Sequence, residues 1–226
     1  MFSLYVRKIA YLSDIINVNE MNGQEESTSK KIKDTILSGE EGRIYFISDF
    51  VDLGNDALVT KVLYRLEKSN LLIRLSKGIY LYPVVTRFGV SYPSLHTIAK
   101  AIAERDKVKI MPTGHAALNQ LGLSTQVPMN AIYLTNGSAR TIQVGKRKIT
   151  FKRSVPKNFK YKGNLFPLIV FAMKELGEKN IDDSVLGQIK GLLNKSDERE
   201  SFEHDIALAP AWIRNLLLPI IKKSKT

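Results

Sequence analysis

Three histidines, His96, His115 and His204, are the side chains best suited to proton transfer or metal binding, and their spacing supports neither. They lie far apart in the sequence, and none stands at metal-ligand spacing from another. No nucleophile elbow, phosphate-cradling Walker loop or dinucleotide fingerprint is present. Cysteine is absent, which excludes disulfides, Cys-ligated zinc, iron–sulfur clusters and a thiol nucleophile. Asp182-Asp183 and Asp197-Glu198-Glu200 have the chemistry of metal ligands, but both groups sit where helices begin, and carboxylates there complement the helix dipole. Pro112-Thr113-Gly114-His115 falls at a strand-to-helix junction. Such a junction can hold an anion; the expected alternative is that Thr113 caps its own helix. The residues therefore point to no enzyme, no catalytic residue, no metal and no cofactor.

The charge points elsewhere. Lys and Arg total 34 against 22 Asp and Glu, a net charge of +12, and a basic surface of that size suits a polyanionic partner. Residues 140–162 hold nine cations and no acid: Arg140, Lys146, Arg147, Lys148, Lys152, Arg153, Lys157, Lys160 and Lys162. Phe151, Phe159 and Tyr161 are interleaved with them, a mixture that fits phosphate neutralisation with base stacking. The residues alone leave open whether this segment meets DNA, RNA or an acidic protein.

The elements that would carry these residues follow from periodicity. Ile32, Ile36 and Leu37 predict a helix opening near Ser29, Arg43 to Ile47 a short strand, and Ser48-Asp49 the start of a short helix. Leu53-Gly54-Asn55 is a tight turn, and Asn55 caps a helix from Asp56 to Lys68. Residues 71–75 and 79–82 read as a hairpin turning at Ser76-Lys77-Gly78. Helix, strand, helix, turn, helix, hairpin is the order of a winged helix-turn-helix, whose second core helix enters the major groove. At about 100° per residue, Leu58, Val59, Val62, Leu63 and Leu66 share one arc of the Asp56 helix. Thr60, Lys61, Tyr64 and Lys68 lie opposite, with Arg65 flanking. Together with Arg74 and Lys77 of the hairpin, these are the candidate DNA-binding residues.

Beyond Phe88 a second segment opens at Tyr92-Pro93-Ser94. It alternates short helices with strands at 108–111, 131–135, 141–144 and 148–152, and Asn136-Gly137 is a strong hairpin signal. From Leu165 onward it is helical. The expected fold is α+β: a flexible extension at 1–27, a winged helix-turn-helix at 28–84, a linker at 85–91, and a C-terminal domain at 92–226 with a small antiparallel sheet and a helical end. No apolar run reaches the roughly 20 residues of a membrane span. The start, Met1 to Lys8, places its charges after its apolar residues, the reverse of a secretory signal. A soluble, cytoplasmic chain is expected.

The hairpin Leu75-Ser76-Lys77-Gly78-Ile79-Tyr80, followed by Pro112 to Pro128 (PTGHAALNQLGLSTQVP), resembles the AbiEi-type antitoxins, regulators of type IV toxin–antitoxin operons linked to phage defence. The resemblance covers roughly residues 28–200; the second motif is the specific one. It implies a repressor that binds inverted repeats in its own promoter and opposes a nucleotidyltransferase-like toxin without a stable complex. It assigns the DNA role to Thr60, Lys61, Tyr64, Arg65, Arg74 and Lys77, and more loosely a basic-face role to Lys146, Arg147 and Lys148. The expected partner is double-stranded DNA, with no membrane involved. The alternative is an RNA- or protein-binding module that uses the basic 140–162 hairpin, with the winged helix as a docking element.

Overall fold

A computed structural model describes residues 23–126 and 128–223. They divide into two compact units, one up to Ser94 and one from Leu95. The molecule is mixed α+β.

In the first unit, α1 (Gly23–Leu37) is followed by β1 (Ile44–Phe46), a 3-10 turn (Ile47–Phe50), α2 (Asp56–Lys68), β2 (Ile73–Ser76) and β3 (Ile79–Leu81). Helix α1 begins six residues before the Ser29 start expected from its apolar positions. Residues 1–22 of the expected extension lie outside the described residues. The antiparallel sheet has the order β1-β3-β2. Ile32 and Ile36 of α1, Val59, Val62, Leu63 and Leu66 of α2, and Tyr45, Phe50, Leu72 and Tyr80 form its core. Polar groups fix the corners. Asn55 Oδ1 accepts the Leu58 N–H at 2.9 Å and starts α2. Asp49 Oδ2 accepts the Phe46 N–H at 2.9 Å, and Thr28 Oγ1 donates to the Leu53 carbonyl at 3.0 Å, tying α1 to the turn before α2.

The segment expected as a linker is a hairpin instead: β4 (Val84–Thr86) pairs with β5 (Gly89–Ser91). Val85 faces Val90 across the two strands, and such β-branched pairs favour extended backbone over coil.

The second unit begins with α3 (Leu95–Arg105), β6 (Ile110–Thr113), α4 (His115–Gln120), β7 (Asn130–Thr135), β8 (Arg140–Val144) and β9 (Arg147–Arg153). A helical part follows: α5 (Leu165–Leu176), α6 (Asp183–Lys195), α7 (Arg199–Ile206) and α8 (Ala211–Lys223). The sheet order is β6-β7-β9-β8. Two of its pairings are antiparallel, as expected, but the central β7–β9 pair is parallel. Asn136-Gly137 therefore does not close a β7–β8 hairpin, because β9 lies between those strands. The dipeptide serves a close approach: Asn136 Oδ1 accepts the Lys109 N–H at 2.8 Å, and a Cβ on Gly137 would lie 2.7 Å from Val108 Cγ1. The turn at Gly145-Lys146 joins β8 to β9, with Gly145 at φ +58°. One core runs through α5 (Phe166, Ile169, Val170, Met173), α6 (Ile189, Leu193), α7 (Phe202, Ile206) and α8 (Ile213, Leu217). Met111 and Leu134 of the sheet pack against it.

Candidate nucleic-acid interface

Helix α2 separates its residues as its periodicity requires. Val59, Val62, Leu63 and Leu66 are buried, while Thr60, Lys61, Tyr64, Arg65 and Lys68 are all exposed. The Lys68 ammonium lies 5.2 Å from the centre of the Tyr64 ring, a cation–π contact on a ring that remains 49% exposed. Arg74 is exposed on β2, opposite Tyr80 of β3. Burial raises the Tyr80 hydroxyl pKa, the Arg74 charge lowers it, and Glu67 adds a smaller upward push. Lys77 is exposed at the turn, beside Gly78 at φ +71°. A Cβ on Gly78 would come within 3.3 Å of Ile47 Cδ1, so the turn rests on the 3-10 segment. One unit thus carries all seven candidate residues in exposed positions.

The second basic group is not brought together. In β9, successive side chains alternate faces. Ile149 and Phe151 are buried, and Arg147 and Arg153 share their parity. Arg140, across from Phe151, places its guanidinium 5.4 Å from the Phe151 ring centre and pairs with Asp106. Burial would raise the Asp106 pKa, but hydrogen bonds from Arg105 and Arg140 hold it below the usual carboxylate value. Lys148 and Lys152 emerge on the opposite face with Thr141, Gln143 and Thr150, where Thr141 and Thr150 hydroxyls meet at 3.3 Å. Lys146 is exposed in the turn. The single basic face is therefore corrected to two, because a period-two strand sends neighbouring cations to opposite sides. The aromatic interleaving fails as well: Phe151 is buried, and Phe159 and Tyr161 are half-buried. Lys174 on α5 is a cation that no sequence signal singled out. Burial and then the charge of Lys157 lower its pKa.

The three histidines, Asp182 and Glu198 have structural partners. His96 Nδ1 meets Gln120 Nε2 at 2.9 Å and the Tyr133 hydroxyl at 3.4 Å, and its ring stacks on Tyr133. Burial, then the charge of Lys100, lowers its pKa. His115 Nε2 lies 3.7 Å from Glu175 Oε1, and His204 Nδ1 lies 2.8 Å from Asp205 Oδ1. Among the described residues no three His, Asp or Glu side chains are grouped to hold a metal. Asp182 caps α6 through the Val185 N–H at 2.8 Å. Glu198 accepts the Asn164 and Leu165 N–H groups, each at 2.8 Å, at the start of α5, and Asp205 accepts those of Lys162 and Gly163.

The expectation for Thr113 is overturned. Its hydroxyl donates to the Ile132 carbonyl at 3.2 Å and does not cap α4. Gly114 precedes α4 at φ +59°, and a Cβ there would lie 3.3 Å from the Glu175 carboxylate, so a carboxylate of the chain itself stands at this junction. In the rest of the 112–128 motif, Ala116, Ala117 and Leu118 are buried. Asn119 Nδ2 donates to the Ser124 and Gln126 carbonyls, and Gly122 turns the chain at φ +71°. Val127 lies outside the described residues. The motif's described residues thus close a loop between α4 and β7.

No curated protein matches the chain. Residues 31–201, from within α1 to within α7, match DUF6088, described as a family of unknown function, and the chain belongs to that family.

Proposed function

We propose that this protein is a sequence-specific DNA-binding regulator whose first unit works as a winged helix-turn-helix, with α2 in the major groove and the β2–β3 hairpin as the wing. The observation that carries this reading is the α2 face: five exposed residues, four of them Lys, Arg or Tyr, on a helix that buries Val59, Val62, Leu63 and Leu66 on its opposite side. The 3-10 segment, the turn to α2 and the β1-β3-β2 order support it. The resemblance to AbiEi-type antitoxins extends the proposal to a non-enzymatic, cytoplasmic autorepressor of a phage-defence operon, opposing a nucleotidyltransferase-like toxin.

The test is a titration of the protein on the duplex upstream of its own gene, against a scrambled duplex, at several salt concentrations. Tight, sequence-dependent binding with a steep salt slope is expected. Lys61→Glu combined with Arg65→Glu should weaken it about 100-fold. Equal, weak binding to both duplexes would sink the proposal.

One observation favours a second reading. Lys148 and Lys152 stand with threonines and a glutamine on an exposed sheet face, which suits an RNA backbone or an acidic protein. Under that reading Lys148→Glu with Lys152→Glu is severe and the α2 pair is harmless.

A further inference from the structure

The β4–β5 hairpin is unexplained by the wing and by α2. Every residue from Val85 to Tyr92 is exposed. Phe88, at the tip, is 85% exposed, an unusual position for a phenylalanine. The Arg87 guanidinium lies 4.6 Å from the centre of its ring. The tip is held in shape: Thr86 Oγ1 accepts the Phe88 N–H at 3.2 Å and donates to the Gly89 carbonyl at 2.9 Å, with Gly89 at φ +110°. Its base adjoins Gly42, where a Cβ would lie 3.3 Å from Val84 Cγ2. A two-stranded hairpin has little stability of its own. This one presents an ordered cation and aromatic ring to solvent at no evident structural gain.

Charge selects the occupant. From Lys68 to Ala103 the sequence contains no Asp or Glu, while it holds Lys68, Arg74, Lys77, Arg87 and Lys100. A second copy of the hairpin would bring no acid to meet Arg87. A polyanion would meet it, and a narrow arm with an arginine and an exposed apolar ring suits the DNA minor groove. There the potential attracts guanidinium groups, and apolar wedges enter base steps. We propose that the β4–β5 hairpin is a second duplex-DNA contact, with Arg87 and Phe88 entering the minor groove next to the major-groove site of α2. This rests on the DNA-binding reading of α2.

The experiment uses the full chain and the duplex upstream of its own gene. It compares the wild type with Phe88→Ala, Arg87→Ala, and the Lys61→Glu/Arg65→Glu pair. Both tip side chains are exposed, so their variants should melt as the wild type does. Each tip variant should bind about tenfold more weakly. Arg87→Ala should also reduce the salt slope by about one, and the hydroxyl-radical footprint of both should lose protection at one minor-groove edge. If the tip variants bind and protect as the wild type while the Lys61/Arg65 pair does not, the hairpin inference is wrong and the α2 reading stands. If the wild type itself fails to distinguish its own duplex from a scrambled one, both fall. If Phe88→Ala instead converts a dimer to a monomer in sedimentation with unchanged affinity per protomer, the hairpin is a contact between copies and the inference is overturned.

Discussion

Single side chains show where buried polarity is satisfied and where it is not. Asp205 is fully buried, and its two oxygens accept the Lys162 and Gly163 N–H groups at 2.8 and 2.9 Å. Asp205→Asn turns one acceptor into a donor facing an N–H, so it should lower stability by about 2–3 kcal/mol in thermal melts. Tyr45 is the converse: its hydroxyl is buried with no partner among the described residues. Tyr45→Phe removes that unsatisfied group and should leave the melting temperature unchanged or raised. His96 sets a pH dependence. Its folded-state pKa is lowered, by burial first and Lys100 second, from an ordinary value of 6.5. As pH falls through 6.5 the unfolded chain takes up this proton before the folded one does. Stability contributed here is intact above that point and declines below it, down to the lower folded value. The melting temperature should therefore fall on acidification from about pH 6.5, and His96→Gln should flatten that part of the profile. Asp106 acts in a separate window, because its lowered pKa preserves its contribution until pH drops below the ordinary carboxylate value.

At the scale of elements, local pattern and neighbourhood compete. Helix α2 was legible because its cap, length and apolar arc all lie within 14 consecutive residues. Residues 85–91, expected as a linker, carry in Val85 and Val90 a strand preference that only pairing across the Arg87-Phe88 turn realises. Asn136-Gly137 is the opposite case. Its composition signals a hairpin, but its glycine is required by the side chain of Val108. Gly137→Ala should therefore destabilise the second unit by about 1–3 kcal/mol through overpacking. Combining it with Val108→Ala should recover most of the loss, a coupling that a denaturation double-mutant cycle would detect.

At the scale of the molecule, α2 and the sheet face of Lys148 and Lys152 offer two kinds of charge. If α2 reads bases and the sheet face of Lys148 and Lys152 only neutralises phosphate, the two charge-reversed pairs should differ in kind. The α2 pair should abolish preference between own and scrambled duplex. The sheet pair should weaken both duplexes alike and reduce the salt slope by about one per lost phosphate contact, measured by the same titration. The sequence by itself determined the α+β class, the element order from α1 to β3, the exposed basic arc of α2 and the Asn55 cap that starts it. Each of these depends on residues a few positions apart. Only the tertiary structure decided that β9 enters between β7 and β8, and that Glu198 and Asp205 close the start of α5 from 33 to 43 residues away. Those outcomes come from burial and hydrogen-bond satisfaction between distant segments, which leave no periodic mark on either partner.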